Sequence, residues 1–249
     1  TPHDVWDWDA NENPVLLDAT FRGKPRKLLV QANRNGFYYV LDRVTGKFLH
    51  GTPFIKNLNW ATGLTPEGRP IRDPKIIPTI QGTRTCPATA GATNWHSPAY
   101  NPDTGLLYVS MMEGCGINYK SRDTFRPGGV PFMATGYVED PEAPWQTYVR
   151  ALDATTGAIK WEYKQVGSKR YGAGVLSTAG GLIFSGDDQG VLTALHATSG
   201  KPLWHFNTGQ QISASPITYS FNDTQYVAIA AGSNVLAFAF LELDRQHRD

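Results

Sequence analysis

Near its amino end the chain reads Thr1-Pro2-His3-Asp4-Val5-Trp6-Asp7-Trp8-Asp9. On extended backbone, alternate side chains fall on opposite faces, so Asp7 and Asp9 share one face with Cα atoms about 7 Å apart. Two carboxylates at that spacing could reach one cation. Trp6 and Trp8 would then fill the other face and pin the strand. The same pattern also describes an edge strand with an acidic solvent face and an aromatic core face. His3 reads as a residue that orients this strand, because the six histidines show no ligand spacing. Asp187 and Asp188 form a second acidic pair, but they sit in a turn between strands and read as structural. No serine lies in a nucleophile-elbow context.

Arg34 lies inside Asn33-Arg34-Asn35-Gly36, a turn ending in Asn-Gly. It is either a surface cation or a fixed positive charge set beside a reacting group. Asn94 is either a turn residue or a polar contact for a ligand. Cys86 and Cys115 are the two cysteines, too few for a disulfide scaffold or a zinc cluster, and they are either bonded or free and buried.

The elements that must position these residues are strands. The chain has 249 residues, 41% hydrophobic and 18% charged, which fits a folded chain with one large β domain or two ordinary ones. The net charge of +1 gives no electrostatic case for nucleic acid or an acidic membrane surface. No apolar run approaches the roughly 18 residues of a membrane span. The chain opens on Thr1 with no signal peptide to read, which predicts that an upstream segment was removed or left out.

Val15-Leu16-Leu17, Lys27–Ala32 and Phe37–Leu41 read as successive strands. They lead into Asp42-Arg43-Val44-Thr45-Gly46, where Asp bonds the turn backbone and Gly takes positive φ. That hairpin recurs as Asp153…Gly157…Trp161 and His196…Gly200…Trp204, and more loosely at Asn101…Gly105. The glycines at 157 and 200 are separated by the roughly 40–45 residues of a four-stranded propeller blade. The tryptophan closing each copy is expected to dock between blades. About four blades can be placed, and each must be covered by its neighbours in a radial stack. Residues 62–93 and 116–147 read as loops inserted into this framework.

Taken in order, these segments resemble the pyrroloquinoline quinone (PQQ)-dependent alcohol dehydrogenases. The carrying segments are Thr1–Asp7, Asn33–Phe37, Cys86-Pro87 with Gly114-Cys115, Asn94-Trp95, Ala173–Gly180 and the Trp-closed blade turns. The resemblance implies an all-β fold, the C-terminal part (about four Trp-docked, four-stranded blades) of an eight-bladed β-propeller. Residues 1–249 would form one incomplete domain of it. It implies PQQ-dependent oxidation of a primary alcohol to an aldehyde in the periplasm, with a c-type cytochrome as electron acceptor. Asp7 matches the catalytic base, Arg34 the cation beside the quinone carbonyls, Asn94 an amide on the cofactor rim, and Ala173 a backbone contact. Cys86 and Cys115 match a disulfide. The remaining metal ligands and the floor of the cofactor site belong to the missing N-terminal half, so the chain alone is expected to hold PQQ weakly or not at all. No Cys-x-x-Cys-His occurs, so a c-type haem site is not expected here.

Asp9 carries the finest expectation. Calcium-using members have a small residue two places after the base, whereas lanthanide-using members resemble this chain. Asp7 and Asp9 together would offer a trivalent ion the extra anionic oxygen that its charge requires. Two positions depart from the family: Asn33 stands where Asp is frequent, and Gly172 where Trp is, with Tyr171 as a possible substitute. The competing readings are a non-catalytic propeller scaffold, like the outer-membrane assembly lipoproteins, and a four-blade interaction module. A scaffold has no reason to hold paired acids at Asp7 and Asp9 or the Arg34 turn, whereas the missing half makes the interaction module more plausible for the isolated chain.

Overall fold

The Asp-to-Gly hairpin is the joint on which each blade is built. The computed structural model describes residues 1–122, 124–125, 127–128, 135–167 and 172–240, and every regular element among them is a β-strand. Blade one contains β1 (Val15–Phe21), β2 (Lys24–Ala32), β3 (Phe37–Asp42) and β4 (Phe48–Pro53), paired in that order. A hairpin of β5 (Ala61–Leu64) and β6 (Pro70–Arg72) follows, then β7 (Thr83–Thr85). Blade two begins with β8 (Ala99–Asn101) and β9 (Leu106–Glu113). The chain then leaves for β10 (Gly116–Lys120) and β11 (Thr135–Glu139), and returns as β12 (Gln146–Asp153) and β13 (Ile159–Lys164) to complete the blade. Blade three is β14 (Val175–Ser177), β15 (Leu182–Gly186), β16 (Val191–His196) and β17 (Pro202–Asn207). The last sheet has β18 (Ile217–Phe221), β19 (Thr224–Ala231) and β20 (Asn234–Ala239). Three full four-stranded blades and three strands of another thus match the expected architecture.

The core lies between blades rather than within them. Leu28, Val30, Tyr38 and Val40 of blade one pack against Leu107, Val109, Met111 and Leu152 of blade two. Tyr108, Val149 and Trp161 meet Val175, Ile183 and Leu195 of blade three. Phe184 and Leu192 meet Val227 and Ile229 of the last sheet. Each blade presents apolar side chains to the neighbour that covers it, as a radial stack requires, while β17 and β18 stay exposed.

The repeated turn supplies the joint. Asp42 Oδ1 accepts the N–H groups of Val44 and Thr45, and Asp153 Oδ1 accepts those of Thr155 and Thr156. Trp161 Nε1 donates to the carbonyl of Ala197, 2.8 Å away in the next blade's turn. A Cβ on Gly200 would lie 2.5 Å from the Trp161 ring, so the turn glycine is also the indole's seat. Blade one reaches blade two by other chemistry. His50 takes the tryptophan position and its ring bonds Thr156 O, while the Tyr38 hydroxyl donates to Ala154 O at 2.8 Å. Trp204 rests against Phe206 and Phe238 and stays 40% exposed.

The two long tracts differ from expectation, since they carry strands of their own. β5 and β6 form a hairpin, and β7, β10 and β11 form a three-stranded sheet in the order β11-β10-β7. Strands of three to five residues are too short for alternation to register, and β7 finds its partner more than 30 residues away. A disulfide between Cys86 and Cys115, with Cα atoms 4.5 Å apart, fastens β7 to the start of β10.

One buried ion network ties blade one to blade two. Arg150 on β12 is fully buried. It donates to Phe54 O, to Glu113 Oε1 at 3.0 Å and to Glu162 Oε2 at 2.7 Å. Lys56 adds its backbone N–H to Glu113 and its ammonium to Glu162.

Candidate functional site

The amino-terminal segment is not a strand. His3 and Asp7 both have left-handed backbone, at φ 53° and 66°, and the segment turns over the top of blade one. The organiser is Asp4, not His3. Its carboxylate accepts the N–H of Trp6 at 2.8 Å and that of Trp8 at 2.7 Å. Such a local side-chain bond competes with strand formation, which is why the alternation did not become extended structure. The partition of side chains nevertheless matches the alternation. Trp6 and Trp8 are buried and stacked 4.7 Å apart, with Trp60 and Phe37 closing the cluster, while Asp7 and Asp9 are exposed. Trp8 Nε1 donates to Ala88 O and Trp60 Nε1 to Asn35 O, so both indoles serve as fixed anchors.

Arg34 is buried beneath this segment and is not a surface cation. Asn33 builds its turn: Oδ1 accepts the N–H of Asn35, and Nδ2 donates to Gln31 Oε1. An aspartate at 33 could not make the second bond, which accounts locally for the amide there. The Arg34 side chain is 10% exposed and lies with Nη2 2.9 Å from Thr89 O and 3.7 Å from Asp7 Oδ2. Its buried Nε–H has no hydrogen-bond partner.

Gly91, which the sequence reading passed over, makes room for that side chain. Its φ is +82°, and a Cβ there would overlap Arg34 Cγ and sit 2.8 Å from Arg34 O. Gly91→Ala is therefore expected to cost about 1–3 kcal/mol, read as a lowered denaturant midpoint. Combined with Arg34→Ala, part of that cost should disappear; strictly additive losses would mean that the two residues do not compete for space.

Asn94 is also buried. Its Nδ2 donates to Ala90 O at 3.0 Å, and its Oδ1 accepts from Trp95 N and from Asn11 Nδ2. One amide hydrogen is left for a ligand. Asn11 in turn donates its backbone N–H to Asp9 O, so the acidic segment is stitched to Asn94. Asn94, Thr93, His96 and Ser110 line two small cavities of about 10 Å³, each with room for about one water. One cavity extends to Gly172 and the other to Glu12. Ala173, beside Gly172, is fully buried and its N–H is committed to Gly186 O at 3.0 Å, leaving its carbonyl as the group to offer. Tyr171 lies outside the described residues. His96 is kept neutral, its pKa pushed down to about 4 by burial.

Among the described residues no three His, Cys, Asp or Glu side chains converge on a metal site. What this surface offers a hard ion is the exposed carboxylates of Asp7 and Asp9. Beside them it presents a buried guanidinium with an uncommitted N–H.

A radial stack of four-stranded blades, with acids over a buried arginine at one edge, has counterparts among known proteins. Residues 1–53 match the family model for the PQQ glucose, ethanol and alcohol dehydrogenase β-propeller domain, and residues 146–249 match that of the outer membrane protein assembly factor BamB. Quinoprotein alcohol dehydrogenase PedH of Pseudomonas putida is 37% identical over 93% of this chain and 40% of its own length. The quinohemoprotein alcohol dehydrogenase of Comamonas testosteroni is 33% identical over 99% of the chain and 36% of its own. The crystal structure of the latter superposes with a TM-score of 0.86 at 31% identity, over 94% of this chain and 36% of that one. A europium-containing methanol dehydrogenase superposes at 0.82 with 34% identity, over 92% and 40%. Over nearly its whole length the chain is similar to quinoprotein alcohol dehydrogenases, and it spans only about two fifths of the length of these relatives.

Proposed function

We propose that residues 1–249 form the C-terminal part of a larger periplasmic quinoprotein propeller, whose missing N-terminal half completes the pocket. The whole would oxidise a primary alcohol to an aldehyde and pass the electrons to a c-type cytochrome. The observation that carries this reading is the Asp7 carboxylate 3.7 Å from the buried Arg34 guanidinium, in a chain related to alcohol dehydrogenases along nearly its whole length. The donor set suits half a site: two exposed carboxylates, a buried guanidinium, one amide hydrogen and one backbone carbonyl are the groups that would hold PQQ and its ion. When bound, PQQ would supply the hydride acceptor and a lanthanide (or calcium) ion the Lewis acidity. Asp7 accepts the hydroxyl proton of the alcohol, and its exposure gives that proton a route to water. Arg34 presents a positive charge that is fixed before any negative charge develops, because Thr89 O and the Gly91 seat hold it. Asn94 and the Ala173 carbonyl bound the rim. The disulfide fits an oxidising compartment.

Asp9 adjusts the choice of ion. Beside Asp7 it adds a second anionic oxygen donor, which favours a trivalent over a divalent ion of the same size. The test uses the complete propeller loaded with PQQ and either lanthanum or calcium, with alcohol-dependent dye reduction as readout. Turnover should require PQQ and be higher with lanthanum, and Asp9→Ala should reverse that preference. An unchanged lanthanum preference in Asp9→Ala would remove Asp9 from the ion's shell, and PQQ-independent behaviour would remove the whole reading. A non-catalytic scaffold is the second reading. It is favoured by the assembly-factor match over 146–249, a stretch with docking turns but neither Asp7 nor Arg34.

A further inference from the structure

Three consecutive backbone carbonyls hold the groups of the site. Ala88 O accepts Trp8 Nε1–H at 3.0 Å, Thr89 O accepts from Arg34 Nη2 at 2.9 Å, and Ala90 O accepts from Asn94 Nδ2 at 3.0 Å. Trp8 lies between Asp7 and Asp9 in the chain, so this comb of carbonyls sets acids, cation and amide relative to one another. Residues 88–91 form a turn, closed by Gly91 N–H on Ala88 O at 2.8 Å, and belong to no strand. Their shape is therefore imposed by neighbours. Ala88 N–H donates to Gly114 O at 3.1 Å, and Ala92 N–H to Arg34 O at 2.8 Å. A further tie runs between side chains. Thr89 Oγ1 donates to Asn118 Oδ1 at 2.8 Å, and both residues are buried. Asn118 sits on β10, the central strand of the inserted sheet, opposite Thr83 of β7 and Tyr137 of β11. Its Nδ2 is buried with no hydrogen-bond partner, so among the described residues this amide is committed to Thr89 alone. A buried amide that forgoes half of its bonding to make one bond in one place points to a positional role. The Cys86–Cys115 disulfide joins the same two segments, three residues before each partner.

We propose that Thr89 and Asn118 are positioning residues for Arg34, through which the inserted β7-β10-β11 sheet sets the guanidinium against the acids and Asn94. Asn118 fixes the Thr89 hydroxyl, and the Thr89 carbonyl then holds Nη2 where it faces Asp7 at 3.7 Å. The insertion is in this way part of the site's construction. The inference rests on the proposed function only for the identity of the ligand above Arg34, PQQ.

Two measurements on the complete propeller test it. The first is PQQ affinity. Thr89→Val keeps the shape but loses the hydroxyl, and should weaken binding about tenfold, an ordinary size for one coupled contact. Thr89→Ser keeps the hydroxyl and should bind as the wild type does. In an Arg34→Gln background Thr89→Val should have no further effect, because Thr89 acts through the guanidinium. A residue that only supports the fold would weaken binding by the same factor in both backgrounds, and that result overturns the proposal. So does Thr89→Ser binding as weakly as Thr89→Val. If Thr89→Val does not fold, Asn118→Ala takes its place in the cycle. Failure of both to fold would make the pair a support of the fold and not of the site, which also overturns it. The second measurement is a cofactor-free crystal structure of the folded variant. Arg34 Nη2 should be displaced from its place beside Thr89 O and Asp7; an unmoved guanidinium overturns the proposal. If the wild type binds no PQQ, the cofactor reading fails. In that case, or if Arg34→Gln abolishes binding, the position of Arg34 in those crystals decides the proposal.

Discussion

Asp7→Asn is expected to lower kcat about 10²–10⁴-fold, the usual contribution of a positioned general base. Asparagine keeps the shape but cannot accept the alcohol's proton. The rest of the protein should not notice the change. The Asp7 side chain is 69% exposed and 3.7 Å from Arg34 Nη2, a pair worth about 0–1 kcal/mol in water. The thermal midpoint should therefore move little, and bound PQQ should be retained in part through Arg34. Steady-state kinetics beside a melting curve separates the cases. A large fall in both would make Asp7 a structural residue, and unchanged turnover would remove it as the base.

Arg150→Ala is expected to be the most costly single change to the fold, at about 3–5 kcal/mol, because it strands a buried charge. Arg150 is wholly buried, and Glu113, its partner at 3.0 Å, is nearly so. Removing the cation leaves Glu113 with only the Lys56 N–H. Removing both charges as Arg150→Met with Glu113→Gln should restore much of the loss, since a matched neutral pair no longer needs solvation. Urea unfolding of the two variants measures this. If the double variant is as unstable as the single, the network contributes shape and not charge balance.

How much of this was legible in the chain differs by residue. The blade turns were legible because Asp42, Asp153 and their glycines act within five residues, and that chemistry is local. Docking of Trp161 followed from the repeat. The substitution of Tyr38 and His50 for a tryptophan in blade one did not, because two residues from different strands share one task. Trp6 and Trp8 inside with Asp7 and Asp9 outside came from alternation, but the extended backbone did not follow. The side chain of Asp4 captured two N–H groups that a strand would have used. Arg34 was visible as a candidate, yet only packing made it buried. Gly91 was not legible. Gly91 matters because of a side chain 57 residues before it in sequence. Nothing in the pattern of charges distinguished Arg150 from any other strand cation.

The most direct measurement of the account is anomalous diffraction from the complete propeller crystallised with PQQ and a lanthanide salt. One strong anomalous peak is expected, bonded to carboxylate oxygens of Asp7 and Asp9 at the roughly 2.3–2.6 Å usual for a hard ion of calcium's size. Quinone density is expected within hydrogen-bonding reach of Arg34. A peak elsewhere on the propeller, with Asp7 and Asp9 in bulk solvent and no density above the guanidinium, would contradict it.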